Sequence, residues 1–144
     1  MKRLSYLGLV GLLGVASFSS ELNAQQADEI GDEITAAELA QLGWAMPPEN
    51  VMVIVIKHTG SNRDAFCQIH NETRGKRADA GDVEPGKNLL AAIETNVMPG
   101  TIWIQCIEEG DGRRFTSDNI RSVGRTLVEF STGSKFVITR KIVP

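Results

Sequence analysis

The chain has 144 residues, 42% hydrophobic and 23% charged, with a formal net charge of -3. This balance excludes a disordered or collagen-like polymer and allows one domain of ordinary size, hardly two. A net negative charge gives no ground for expecting a nucleic-acid ligand.

The first 24 residues carry the clearest signal of destination. Lys2 and Arg3 make a positive start, and Leu4 to Phe18 form a largely apolar run. Ser19, Ser20 and the Leu22-Asn23-Ala24 triplet follow, with small Ala24 at the scissile position. This order predicts a secretory signal peptide over 1–24. A membrane anchor would need about 20 apolar residues, whereas this run has 15 and is interrupted by glycine. No cysteine lies near the cleavage region to carry a lipid. The mature product is therefore expected in the periplasm or secreted, with no stable membrane insertion after cleavage.

Residues 25–50 read as an acidic leader. They hold Asp28, Glu29, Asp32, Glu33, Glu38 and Glu49 and no Lys or Arg. Thr35-Ala36-Ala37-Glu38 has the form of a capping box, and Gly43 fits a C-terminal stop. The short helix between them places Leu39 and Leu42 on one face, and Pro47-Pro48 closes the segment. So short a helix must dock on the rest of the chain or stay partly disordered.

From Val51 the period changes. Val51 to Ile56 is an unbroken apolar, β-branched run, the mark of a central strand buried on both faces. After the turn Thr59 to Asn62, Ala65, Cys67 and Ile69 alternate with Phe66, Gln68 and His70. Asn71 to Lys87 reads as a long charged loop, and Leu89 to Thr95 as a strand or a short helix. Pro99-Gly100 has type II turn chemistry. Ile102, Ile104 and Cys106 then alternate with Trp103, Gln105 and Ile107. Gly110-Asp111-Gly112 signals a hairpin leading to Arg113–Thr116, and Leu127–Phe130 with Phe136–Val143 forms a last one. Six or seven strands with no long helix predict an all-β domain over 51–144, an antiparallel β-sandwich with a short N-terminal helix. A barrel is the alternative.

Two cysteines in an exported chain predict one disulfide. Cys67 and Cys106 each share a strand face with aliphatic neighbours, the parity that an intersheet or cross-strand bridge needs. No Cys-x-x-Cys motif is present to favour a reactive thiol.

Chemistry-bearing motifs are sparse. If 51–70 were a hairpin, His58 and His70 would lie at its opposite ends, roughly 23 Å apart at about 3.3 Å per residue. No shared metal is expected on that geometry. Glu108, Glu109 and Asp111 lack the spaced ligands of a calcium loop. Gly81 to Asn88 nearly matches a phosphate-binding loop, but Asn88 replaces the hydroxyl residue and no apolar strand precedes Gly81. Asn71-Glu72-Thr73 is a formal glycosylation sequon. Neither Gly-x-Ser-x-Gly nor Ser-x-x-Lys occurs. No catalytic residues and no cofactor are expected.

What remains is cationic surface. Arg74, Lys76 and Arg77 fall in the long loop, followed later by Arg113, Arg114, Arg121, Arg125, Arg140 and Lys141. Of these, Arg74, Lys76, Arg77, Arg113, Arg114, Arg121 and Arg125 are the candidate binding surface, set against the plainer alternative of solvated charge. With two Trp and no Tyr after cleavage, few aromatics are left for a carbohydrate platform. The expected function is an exported, non-enzymatic β-sandwich binding module for a protein or an anionic envelope polymer. An envelope accessory subunit, an inhibitor and a secreted recognition protein are the roles that fit. A small secreted hydrolase using carboxylates or His70 is the alternative.

Overall fold

Ten strands and one short helix follow one another through residues 32–144, the part of the chain that the computed structural model describes. The predicted signal peptide lies outside the described residues. The elements are β1 (Asp32–Thr35), α1 (Ala36–Gln41), β2 (Val51–Lys57), β3 (Ala65–Asn71), β4 (Lys76–Val83), β5 (Asn88–Glu94), β6 (Thr101–Glu108), β7 (Arg114–Thr116), β8 (Ile120–Arg121), β9 (Thr126–Ser131) and β10 (Val137–Val143). No helix among the described residues is long and apolar enough to cross a membrane.

Two open sheets face one another. The first has the order β1-β10-β9-β2-β5, and the second β4-β3-β6-β7 with β8 paired to β6. Neither closes into a barrel, and the fold is the expected all-β sandwich. Most neighbours are antiparallel, but β1 runs parallel to β10 and β2 parallel to β9. Residues 51–70 are consequently not a hairpin. Strand β2 lies in the first sheet and β3 in the second, so the separation assigned above to His58 and His70 loses its premise.

The unbroken apolar run of β2 has a direct structural cause. Met52, Ile54 and Ile56 point into the main core between the sheets, against Ile69, Ile102, Ile104, Val128 and Phe130. Val53 and Val55 point the other way, into a second cluster with Ile34, Leu39, Leu127 and Ile142. Trp44, Leu42 and Met46 pack over that cluster. The segment around α1 thus covers the outer face of the first sheet. Its start is held by the expected capping box: Glu38 N–H donates to Thr35 Oγ1 at 3.1 Å and Thr35 N–H to Glu38 Oε1 at 3.0 Å. Docking here is apolar, through Leu39, which is fully buried. Higher on the same face Glu129 receives Lys57 at 3.7 Å and Arg140 at 3.6 Å. Arg140 is therefore a buried ion-pair partner rather than part of a cationic surface.

The long charged loop is corrected. Residues 76–83 form β4, paired antiparallel with β3 from Asn71↔Lys76 to Ala65↔Val83. Lys, Asp, Ala and Gly are poor strand formers, so the local sequence argues for a loop. Pairing with β3 overrides it. Ala78, Ala80 and Val83 face the core, and a bulge at Ala80 lets Gly81 take a φ of 128°. The Leu89 ambiguity resolves as strand β5, and Asp32–Thr35 of the leader is a strand rather than coil.

Candidate functional site

The bridge between Cys67 and Cys106 sets the geometry of the second sheet. The two residues are directly opposed on β3 and β6, their Cα atoms 4.0 Å apart, with both side chains fully buried in the core. Because side chains alternate along a strand, fixing these two inward fixes their neighbours outward. Phe66, Gln68 and His70 on β3 and Trp103, Gln105 and Ile107 on β6 therefore stand on the outer face, each half-buried.

Registry extends this face sideways. Arg77 is opposite His70, Asp79 opposite Gln68 and Asp82 opposite Phe66 on one flank. Arg114 is opposite Ile107 and Thr116 opposite Gln105 on the other, with Arg121 opposite Thr101 at the end. His70 and Trp103 stack with ring centres 4.1 Å apart and planes 5° from parallel. Each ring thus uses one face on the other, which suits a rigid apolar ridge more than a sugar platform. Trp103 Nε1–H donates to Glu72 at 2.8 Å, and Gln68 Nε2–H to Asp79 at 3.1 Å. These bonds occupy two of the carboxylates near the face. Arg77, Arg114 and Arg121 are exposed and make no ion pair among the described residues.

Burial pushes the His70 imidazole below its ordinary value; Arg77 adds to the shift and Glu72 opposes it. Its Nε2 is buried without a hydrogen-bond partner. Among the described residues, no cluster of three or more His, Cys, Asp or Glu side chains is placed to hold a metal ion. At the acidic turn, Arg113 N–H donates to Asp111 at 3.0 Å and holds that carboxyl below its usual range, with smaller help from Glu108, Arg63 and Arg113.

A second feature lies at one end of the sandwich. Thr59 and Gly60 after β2, residues 113–116 around β7, and Thr132 to Lys135 in the β9–β10 turn line an open depression of about 510 Å³. Its floor is tied together by Thr132, whose Oγ1 accepts from the N–H groups of Thr59 and Gly60 at 2.9 and 2.8 Å. Gly60 has no room for a side chain, since an added Cβ would come within 2.9 Å of the Thr132 carbonyl oxygen.

The seven candidate cations are accordingly divided. Arg77, Arg114 and Arg121 frame the outer face, while Arg113 and Arg114 line the depression. Arg74 and Lys76 sit in the β3–β4 turn and at the start of β4. Arg125 joins neither group: at a φ of 51°, its Nε–H donates to the Pro47 carbonyl at 2.9 Å and locks the leader to the sheet. The sequon is unusable, because Asn71 is 2% exposed and its amide nitrogen donates to Pro99 O at 2.6 Å. The phosphate-loop lookalike is split between β4 and a turn at Gly86.

Sequence reasoning passed over Phe66, Trp103 and Ile107 as surface residues, although inward cysteines at 67 and 106 imply their outward parity. Lys135 and the Thr59–Thr132 contact had no local signal. No protein-family model matches the sequence, and none of the curated proteins compared with it is detectably similar.

Proposed function

We propose that the protein is an exported, non-catalytic binding module that engages an acidic protein surface through the outer face of its second sheet. Export rests on the basic start, the 15-residue apolar run and Ala24, and a disulfide fits an oxidising compartment. One observation carries the binding reading: the outer face of the first sheet is covered by the chain's own Leu39, Leu42 and Trp44, whereas among the described residues no segment covers that of the second.

The uncovered face has the make-up of a protein interface, with aromatic and aliphatic side chains at the centre and arginines at the rim. Phe66, the His70–Trp103 stack and Ile107 supply the centre; Arg77, Arg114 and Arg121 supply the rim. Glu72, Asp79 and Asp82 all lie on the β4 flank beside Arg77, whereas Arg114 and Arg121 on the β7–β8 flank have no carboxylate opposite them, so that flank favours carboxylates on the partner. Among the described residues, no carboxylate or nucleophile is hydrogen-bonded to the buried His70 Nε2 that a hydrolase built on this ring would use.

A photo-crosslinking amino acid at Gln105, compared with one at Ala40 on the covered side, tests this in producing cells. The expected result is a discrete adduct from Gln105 alone, abolished by Arg77→Glu with Arg121→Glu, whose captured protein has an acidic surface. No adduct, or an adduct of two copies of this chain, overturns the reading. So does hydrolytic turnover that His70→Gln abolishes.

A further inference from the structure

We infer that the end depression is a second, independent binding site, for a monosaccharide unit that bears an oxyanion. It does not depend on the outer-face reading, because residues 59–60 and 132–135 of its lining lie off that face and only Arg114 and Thr116 of β7 are shared.

The lining is an array of donors with no carboxylate in it. Arg113, Arg114 and Lys135 contribute three cations, none of which makes an ion pair among the described residues. Arg113 is also positioned in advance. Its guanidinium lies over the Phe115 ring, 5.1 Å from the centroid, and reaches the Gly60 carbonyl only at 3.5 Å, leaving its other N–H groups unused. A planar guanidinium held this way suits two-point contact with a carboxylate, phosphate or sulfate.

The hydroxyls continue the pattern. Thr59 Oγ1 accepts the Gly133 N–H at 3.1 Å, and Ser134 Oγ accepts the Phe136 N–H at 3.1 Å. Each hydroxyl accepts one bond inside the loops and keeps its hydrogen, with one lone pair, for the ligand. Charge therefore demands an oxyanion, and the hydroxyl donors add hydrogen bonds to a hydroxylated carrier. Size points the same way. A volume of about 510 Å³ exceeds what a bare ion fills and falls within the range of about 300–1,000 Å³ of small-molecule sites.

The test is an NMR titration of the full exported chain at low salt with glucuronate, glucose 6-phosphate, neutral glucose and inorganic phosphate. Amide shifts confined to Gly60, Thr116 and 133–135 with one or both charged sugars are expected, at least tenfold tighter than with glucose. Arg113→Gln with Lys135→Gln should weaken that binding at least tenfold, while Arg77→Gln on the outer face leaves it unchanged. The carboxylate and phosphate arms report which oxyanion is preferred. Inorganic phosphate binding as tightly as glucose 6-phosphate would reduce the site to a bare-anion site and overturn the proposal. Glucose binding equally well, or no shifts at these residues, also overturns it. All substituted residues are exposed, and an unchanged melting temperature checks that the variants fold.

Discussion

Thr132 Oγ1 lies 2.8 Å from His58 Nδ1, linking the β9–β10 turn to the end of β2 across 74 positions of sequence. The direction of this bond can be deduced. His58 Nε2 is 2.7 Å from the Arg63 carbonyl, which only accepts, so Nε2 carries the hydrogen and Nδ1 is the acceptor. Thr132 must then donate its one hydroxyl hydrogen to His58 while accepting from Thr59 and Gly60. Every hydrogen-bonding site on the oxygen is in use.

Thr132→Val keeps the volume of that side chain and removes the oxygen. It leaves two N–H groups and a buried imidazole nitrogen without partners, and should lower stability by about 2–4 kcal/mol. Thr132→Ser should retain most of it. Urea unfolding of the two variants checks this, and a Val variant within about 1 kcal/mol of the parent would refute the network.

The bridge should appear in intact mass as a deficit of two hydrogens. Cys67→Ala should destabilise by about 2–5 kcal/mol. Beyond the lost crosslink, it leaves Cys106 as a buried free thiol between Ile104 and Phe115. Free thiols in the protein purified without reductant, with stability unchanged in the variant, would count against it.

Gly124 sits where the leader crosses the sheet. A Cβ there would overlap the Glu49 carbonyl oxygen, which is backbone and cannot rotate away. The adjoining Arg125 N–H donates to Val51 O at 2.7 Å, so the two strands of chain have no freedom to part. Gly124→Ala should cost about 3 kcal/mol. Thermal unfolding should show a lowered midpoint, and an unaltered one would mean that the crossing is looser than described.

His70 should make stability depend on pH. The fold disfavours its imidazolium, so as pH falls the unfolded chain takes up the proton first. Its contribution is steady above the ordinary value of 6.5. Stability then declines as pH falls through that value toward the lower one of the folded state. His70→Gln should flatten this part of the profile between about pH 8 and pH 5. Equal slopes in parent and variant would exclude His70 as the source.

Local sequence determined much of the scaffold. The run Val51 to Ile56 declares a strand buried on both faces, the Thr35–Glu38 spacing declares a helix start, and Cys67 and Cys106 declare their inward parity. Each of these is carried by residues only a few positions apart, where period and capping chemistry act directly. Tertiary structure decided the rest. Strand β4 exists because β3 offers it hydrogen bonds, against the propensity of its own residues. Parallel pairing of β2 with β9 joins Met52 to Thr126, and no local period reports a partner so far along the chain. The same holds for function. Whether a face is binding surface or core depends on what covers it, and α1 covers only one of the two. The depression gathers Gly60, Arg113 and Lys135 from three segments whose common place is set by packing, not by spacing.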